Sequence, residues 1–110
     1  GWYSVTNTHN EQPEFQKQII DAVRTVTPIA PADHKGEVIG EKIKGEGIIV
    51  IDGRKWGICG AHTRAPYAVT TEVYPDMKGC TRQECDEAQA ICIAAGSRYA
   101  IAHPLPSLKE

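Results

Sequence analysis

The apolar and polar positions divide the chain into short segments of changing period. Residues 2–8 (WYSVTNT) alternate and are rich in strand formers, which reads as a first strand or an ordered tail. From Pro13 to Val26 the period becomes helical. Phe15, Ile19, Ala22, Val23 and Val26 make one apolar stripe, and Glu14, Gln16, Lys17, Gln18, Asp21 and Arg24 lie mostly off it. Pro13 suits the first helical position, and Pro28 stops the helix because Thr27 before it is pushed to extended geometry. Residues 28–36 read as a loop, and Glu37 to Lys44 alternates loosely as a strand.

The clearest β signal is Ile48–Ile51, then Asp52-Gly53, then Arg54–Cys59. Asp-Gly between apolar runs predicts a type I′ hairpin, because both turn residues need positive φ. That register puts Ile48, Val50 and Cys59 on one face and Ile49, Ile51, Trp56 and Ile58 on the other. Residues 67–74 (YAVTTEVY) form a further strand candidate. Thr81 and Glu84 match a capping box, so a second helix starts there, with Gly96 suited to end it. Arg98 to His103 then reads as a short final strand. The expected fold is α+β: an antiparallel sheet with two helices packed on one face, a split β-α-β (ferredoxin-like) sandwich.

A length of 110 residues predicts one domain over 1–110. A net charge of −2 leaves no general electrostatic footprint for nucleic acid or anionic membrane. No apolar run approaches the ~18 residues of a membrane span. No signal peptide is read in the chain, so a secreted reading implies a mature form.

The cysteines change the picture most. Cys59 lies in a predicted strand, and Cys80, Cys85 and Cys92 cluster around the second helix. An even count in a short chain suits a disulfide-stapled secreted domain better than a metal or redox centre. Two disulfides are expected, one joining hairpin to helix. A Cys59–Cys92 bridge would close a long loop and contribute ~4 kcal/mol. A Cys80–Cys85 bridge would pinch the helix start. Cys85 and Cys92, about two turns apart, are too distant to bridge.

Three chemical readings stand beside that frame. In a metal-independent ribonuclease, Glu72 and His103 would serve as base and acid, Arg64 as the cation and His62 as a neighbour, with Lys55 and His34 as further phosphate partners. Cys80-x4-Cys85 resembles in shape the zinc motif of cytidine deaminases. That family also needs a third ligand and a glutamate, and the one H-x-E here, His9-Asn10-Glu11, is at the other end of the chain. The third reading has no catalytic residue: Trp56 reads first as a core residue, but if its hairpin face is uncovered, Ile49, Ile51, Trp56 and Ile58 would form an apolar patch that binds a partner protein. No cofactor or metal set is read, and Cys59 and His62, three residues apart in extended chain, point to opposite sides.

The segment from Trp56 to His103 is similar to fungal killer toxins and killer-toxin-like secreted effectors. The features that carry this are Cys59-Gly60 at a strand end, Tyr67 shortly after, and a cysteine-bearing helix ending near Gly96. The resemblance implies a small, secreted, disulfide-bonded α/β sandwich and carries over no functional residue. The sequence reading is therefore a secreted effector or toxin domain that binds an unknown target protein. A ribonuclease toxin domain, such as the C-terminal domain of a bacterial polymorphic toxin, is the alternative, and only there is nucleic acid a partner.

Overall fold

Trp2–Asn7 forms the strand that its alternation predicts (β1), and all six residues are buried. A strand buried on both faces belongs in the middle of a sheet. In the computed structural model, which describes residues 1–77 and 79–109, β1 runs between two neighbours. One is Ile48–Ile51 (β4), paired parallel, and the other is Thr70–Val73 (β5), paired antiparallel. Beyond β4 come Glu41–Gly45 (β3) and Glu37–Val38 (β2), each joined by an antiparallel turn, so the strand order is β2-β3-β4-β1-β5. The sheet is mixed and curled.

Two helices, Pro13–Val23 (α1) and Arg82–Ala102 (α3), pack together on one face. Their core joins Trp2, Phe15, Ile19, Ile20, Val23, Ile29, Ala88 and Cys92. The opposite face buries Tyr3, Val5, Ala30, Val38 and Ile49. Two small polar side chains of β1 also point at the helices. Ser4 and Thr6 are buried there, and Gln16 of α1 satisfies both: Thr6 Oγ1 donates to Gln16 Oε1 at 3.2 Å and Gln16 Nε2 donates to Ser4 Oγ at 3.0 Å.

The architecture is α+β, with two helices on one face of the sheet. The antiparallel split β-α-β sandwich is not what forms. β1 and β4 are parallel and directly adjacent, with no strand between them. The predicted Asp52-Gly53 hairpin is also corrected. The turn that folds β4 back lies at Glu46-Gly47, where Gly47 has φ +70° and a Cβ would approach Ile29 Cγ2 to 2.7 Å. With β3 on one edge and β1 on the other, β4 has no edge left for residues 54–59. Asp52 serves instead as the N-cap of a short helix, Gly53–Trp56 (α2), its carboxylate accepting from the Lys55 amide.

The predicted strand over Arg98–His103 is helix as well. Thr81 caps α3 as expected, accepting from the Glu84 amide at 3.1 Å, but Gly96 does not end it. Gly96 is buried in mid-helix, where a Cβ would lie 3.2 Å from Ile19 Cδ1 and 3.3 Å from Phe15 Cε1. Its role is close packing of α3 on α1. Tyr99, three residues on, continues the same stripe and packs its ring against Phe15 and Tyr67. The loose strand over 37–44 is broken by a two-residue turn at Ile39-Gly40 into β2 and β3.

Candidate functional site

The face of the sheet away from the helices is only partly covered. Tyr3 and Val5 of β1, Ile51 of β4, and Thr70 and Glu72 of β5 floor a concavity of about 340 Å³. Ile39 stands on one wall with Glu41, and Trp56, Ile58 and Cys59 stand on the other. Three of these are large apolar residues left in water: Ile39 is 65% exposed, Trp56 67% and Ile58 49%. Single exposed apolar residues are ordinary, but three around one hollow make a patch.

The backbone at both walls is strained. Ile39 has φ +50° and Cys59 φ +55°. Ile39 and Gly40 are the two central residues of the β2–β3 turn, and both have positive φ. Asn or Gly suits such a turn, whereas a β-branched residue there costs about 1–2 kcal/mol. The strained Cys59 is held by Asn7, whose Nδ2 donates to the Cys59 carbonyl at 2.6 Å. On the floor, the Tyr3 hydroxyl donates to Glu72 Oε2 at 3.0 Å. Burial, then that bond to Glu72, pushes the Tyr3 phenol up to about 12. Beside the mouth, Lys55 Nζ lies 5.1 Å from the centre of the Trp56 ring.

Of the predicted partner surface, Trp56 and Ile51 line this hollow, while Ile49 is completely buried and belongs to the core. Ile49 changes role because β4 is a covered inner strand. Ile39 and Tyr3 join the site unforeseen. The signal for Ile39 was its place before Gly40 between two short alternating runs, where a turn pushes its side chain into water.

The ribonuclease candidates are divided among three concavities. Glu72 faces the apolar hollow with Tyr3 and Trp56. His62 and Arg64 line a separate cleft with Arg54 and Lys109, closed by Arg64 Nε donating to the Leu108 carbonyl at 3.1 Å. His103 lies at the end of α3, stacked on Tyr99 at 4.1 Å between ring centres, in a groove shared with Glu14 and Arg98. The base, acid and cation of that reading therefore do not meet around one phosphate. His34 is exposed in the loop before β2.

The deaminase-like set is separated too. Cys80 lies at the start of β1, where its thiol reaches the Tyr74 carbonyl that also accepts from the Gly1 amine. His9 follows the far end of β1. Six strand residues put roughly 17–20 Å between them. Among the described residues, no three His, Cys, Asp or Glu side chains converge as a metal set. Among the same residues no helix is long and apolar enough to cross a membrane.

All four cysteines are thiols in the structure. Cys59 packs with the open-face cluster and Cys92 with the helix-side core, so the sheet stands between them and the expected Cys59–Cys92 bridge is corrected. The expectation failed with the hairpin on which it rested. Cys80 and Cys85 are neighbours instead, with Sγ atoms 3.3 Å apart. Cys92 sits 3.8 Å from Gln89 Oε1 and 3.9 Å from Thr71 Oγ1, and burial pushes its thiol up. The features behind the killer-toxin likeness shift as well, since Cys59-Gly60 is a turn after α2 and Gly96 lies inside α3. Compared with protein-family models and with curated proteins, the chain gives no match.

Proposed function

We propose that this chain is a small secreted domain of the effector or toxin type that acts by binding a target protein. Its contact surface is the hollow bounded by Ile39, Trp56 and Ile58. The observation that carries this reading is Ile39. An isoleucine at a turn position with φ +50° strains the backbone and leaves most of its side chain in water. Both costs disfavour the free protein, and both are explained if Ile39 is buried against a partner. Trp56 and Ile58 face the same hollow, which makes a contact of aromatic and aliphatic anchors. Glu41 on its wall and Glu72 on its floor favour a partner segment that carries a basic residue beside an apolar one. Secretion rests on the cysteine content of so short a chain.

The test separates stability from binding. Ile39→Asn relieves the turn, so it should raise stability by roughly 0.5–1 kcal/mol in a urea melt. A photo-crosslinking residue at position 56 should give a discrete protein adduct. Position 93, equally exposed on the outer face of α3, serves as the control. Introducing Ile39→Asn should reduce the adduct at 56 about tenfold while the fold becomes more stable. Equal adducts at 56 and 93, or an adduct indifferent to Ile39→Asn, would sink the assignment.

A ribonuclease reading keeps one observation in its favour. Arg54, His62, Arg64 and Lys109 line a single cationic cleft on a chain whose net charge is −2. Incubation with total RNA in the absence of metal tests it. Cleavage that disappears in both His62→Ala and Arg64→Ala would replace the binding reading.

A further inference from the structure

Helix α3 begins with Thr81 as N-cap and Glu84 at the third helical position, the two residues of a capping box. That geometry brings the residue before the cap against the fourth helical residue, and in many helices an apolar pair fills those places as a staple. In this chain both places hold cysteine, Cys80 and Cys85. Their Sγ atoms lie 3.3 Å apart and both side chains are buried. The contact follows from the local start of one helix and needs no distant element to bring it about. The other two cysteines, on opposite faces of the sheet, have no such neighbour.

We infer that Cys80 and Cys85 form one intramolecular disulfide, a covalent staple at the start of α3, and that Cys59 and Cys92 remain thiols. Neither of the two bonded cysteines lines the proposed binding surface. Oxidation removes two electrons and two protons from the pair. With a low-molecular-weight disulfide as oxidant, Cys80 Sγ attacks one of its sulfurs and one thiol leaves. Cys85 Sγ then attacks Cys80 Sγ and releases the second thiol, so one S–S bond forms as one breaks. In the folded chain the two thiols differ. A hydrogen bond with the Thr27 hydroxyl, 3.1 Å from Cys80 Sγ, holds that thiol below its ordinary value, while burial pushes Cys85 up. Both sulfurs are covered in the finished fold, so the bond forms while the chain is still folding. Once formed, it fixes the start of α3 beside Thr27 and the Tyr74 carbonyl, which also holds the Gly1 amine at 2.7 Å.

The experiment refolds the reduced chain in a glutathione redox buffer, quenches with acid, and alkylates free thiols under denaturant before mass spectrometry and peptide mapping. The expected product carries two labels, on Cys59 and Cys92, and gains two mass units and two more labels after reduction. Its melting midpoint falls on reduction by roughly 5–10 °C. A variant with Cys80→Ser and Cys85→Ser should melt near the reduced parent and not respond to reductant. Four labels, a glutathione adduct on Cys80 or Cys85, or a mapped bridge to Cys59 or Cys92 would each overturn the inference.

Discussion

Tyr3 shows how one residue serves both core and site. Its ring lies in the open-face core and its hydroxyl reaches Glu72 in the hollow. Burial and the carboxylate both disfavour the phenolate, so the folded state holds the proton to about pH 12, against about 10 unfolded. A phenol raised in this way contributes stability that is fully present below pH 10. It is lost as pH rises towards 12. Tyr3→Phe removes both the titration and the bond to Glu72. At neutral pH the parent should be the more stable by about 1 kcal/mol. Between pH 10 and 12 that margin should close. Melting curves for both proteins across this range check it, and a margin that stays constant would mean the Tyr3 phenol does not titrate as described.

Among the elements, the pairing of α1 with α3 depends on the missing side chain at Gly96. A bare Cβ there meets the end of Ile19 at 3.2 Å and the ring edge of Phe15 at 3.3 Å. Gly96→Ala adds that one atom but gains helix propensity, so the two effects nearly offset and stability stays within about 1 kcal/mol of the parent. Gly96→Val adds two further methyls that the interface has no room for. It should cost about 1–3 kcal/mol in a urea melt. If valine is tolerated as well as alanine, the helices are not in close contact at this point. Against the sheet, α1 makes the buried Ser4–Gln16–Thr6 bonds, which fix how it lies across β1.

At the scale of the molecule, β1 is the organising element. It pairs on both edges, is covered on both faces, and connects the two hydrophobic clusters. The amides of Ser4, Val5 and Thr6 should therefore exchange with solvent slowest. Those of β2, a two-residue edge strand, and of Leu105, Ser107 and Lys109 should exchange first. Native-state hydrogen exchange followed by NMR gives the order directly. If helix amides outlast those of β1, the helices form the most stable unit. The hollow between Ile39 and Trp56 stays open on one face of the curled sheet while the helices cover the other.

Local signals were enough for the parts that local chemistry controls. The alternation of residues 2–7, Pro13 and the stripe of α1, and the Thr81–Glu84 box of α3 each state a preference that needs no distant partner. Trp56 was legible as a core residue or as part of an uncovered apolar patch, and only the fold decided that it stands in water. Tertiary structure decided the rest. Asp52-Gly53 suits both a hairpin turn and a helix N-cap, and the choice fell to the cap because β4 had both edges filled. Gly96 suits a helix end and also a close helix crossing, and the crossing won because Phe15 and Ile19 lie against it. That Cys59 and Cys92 lie on opposite faces, and which carboxylate or histidine shares a cleft, depended on strand order. Pairing between distant strands is set by the burial of the whole sheet, and no short stretch of sequence encodes it.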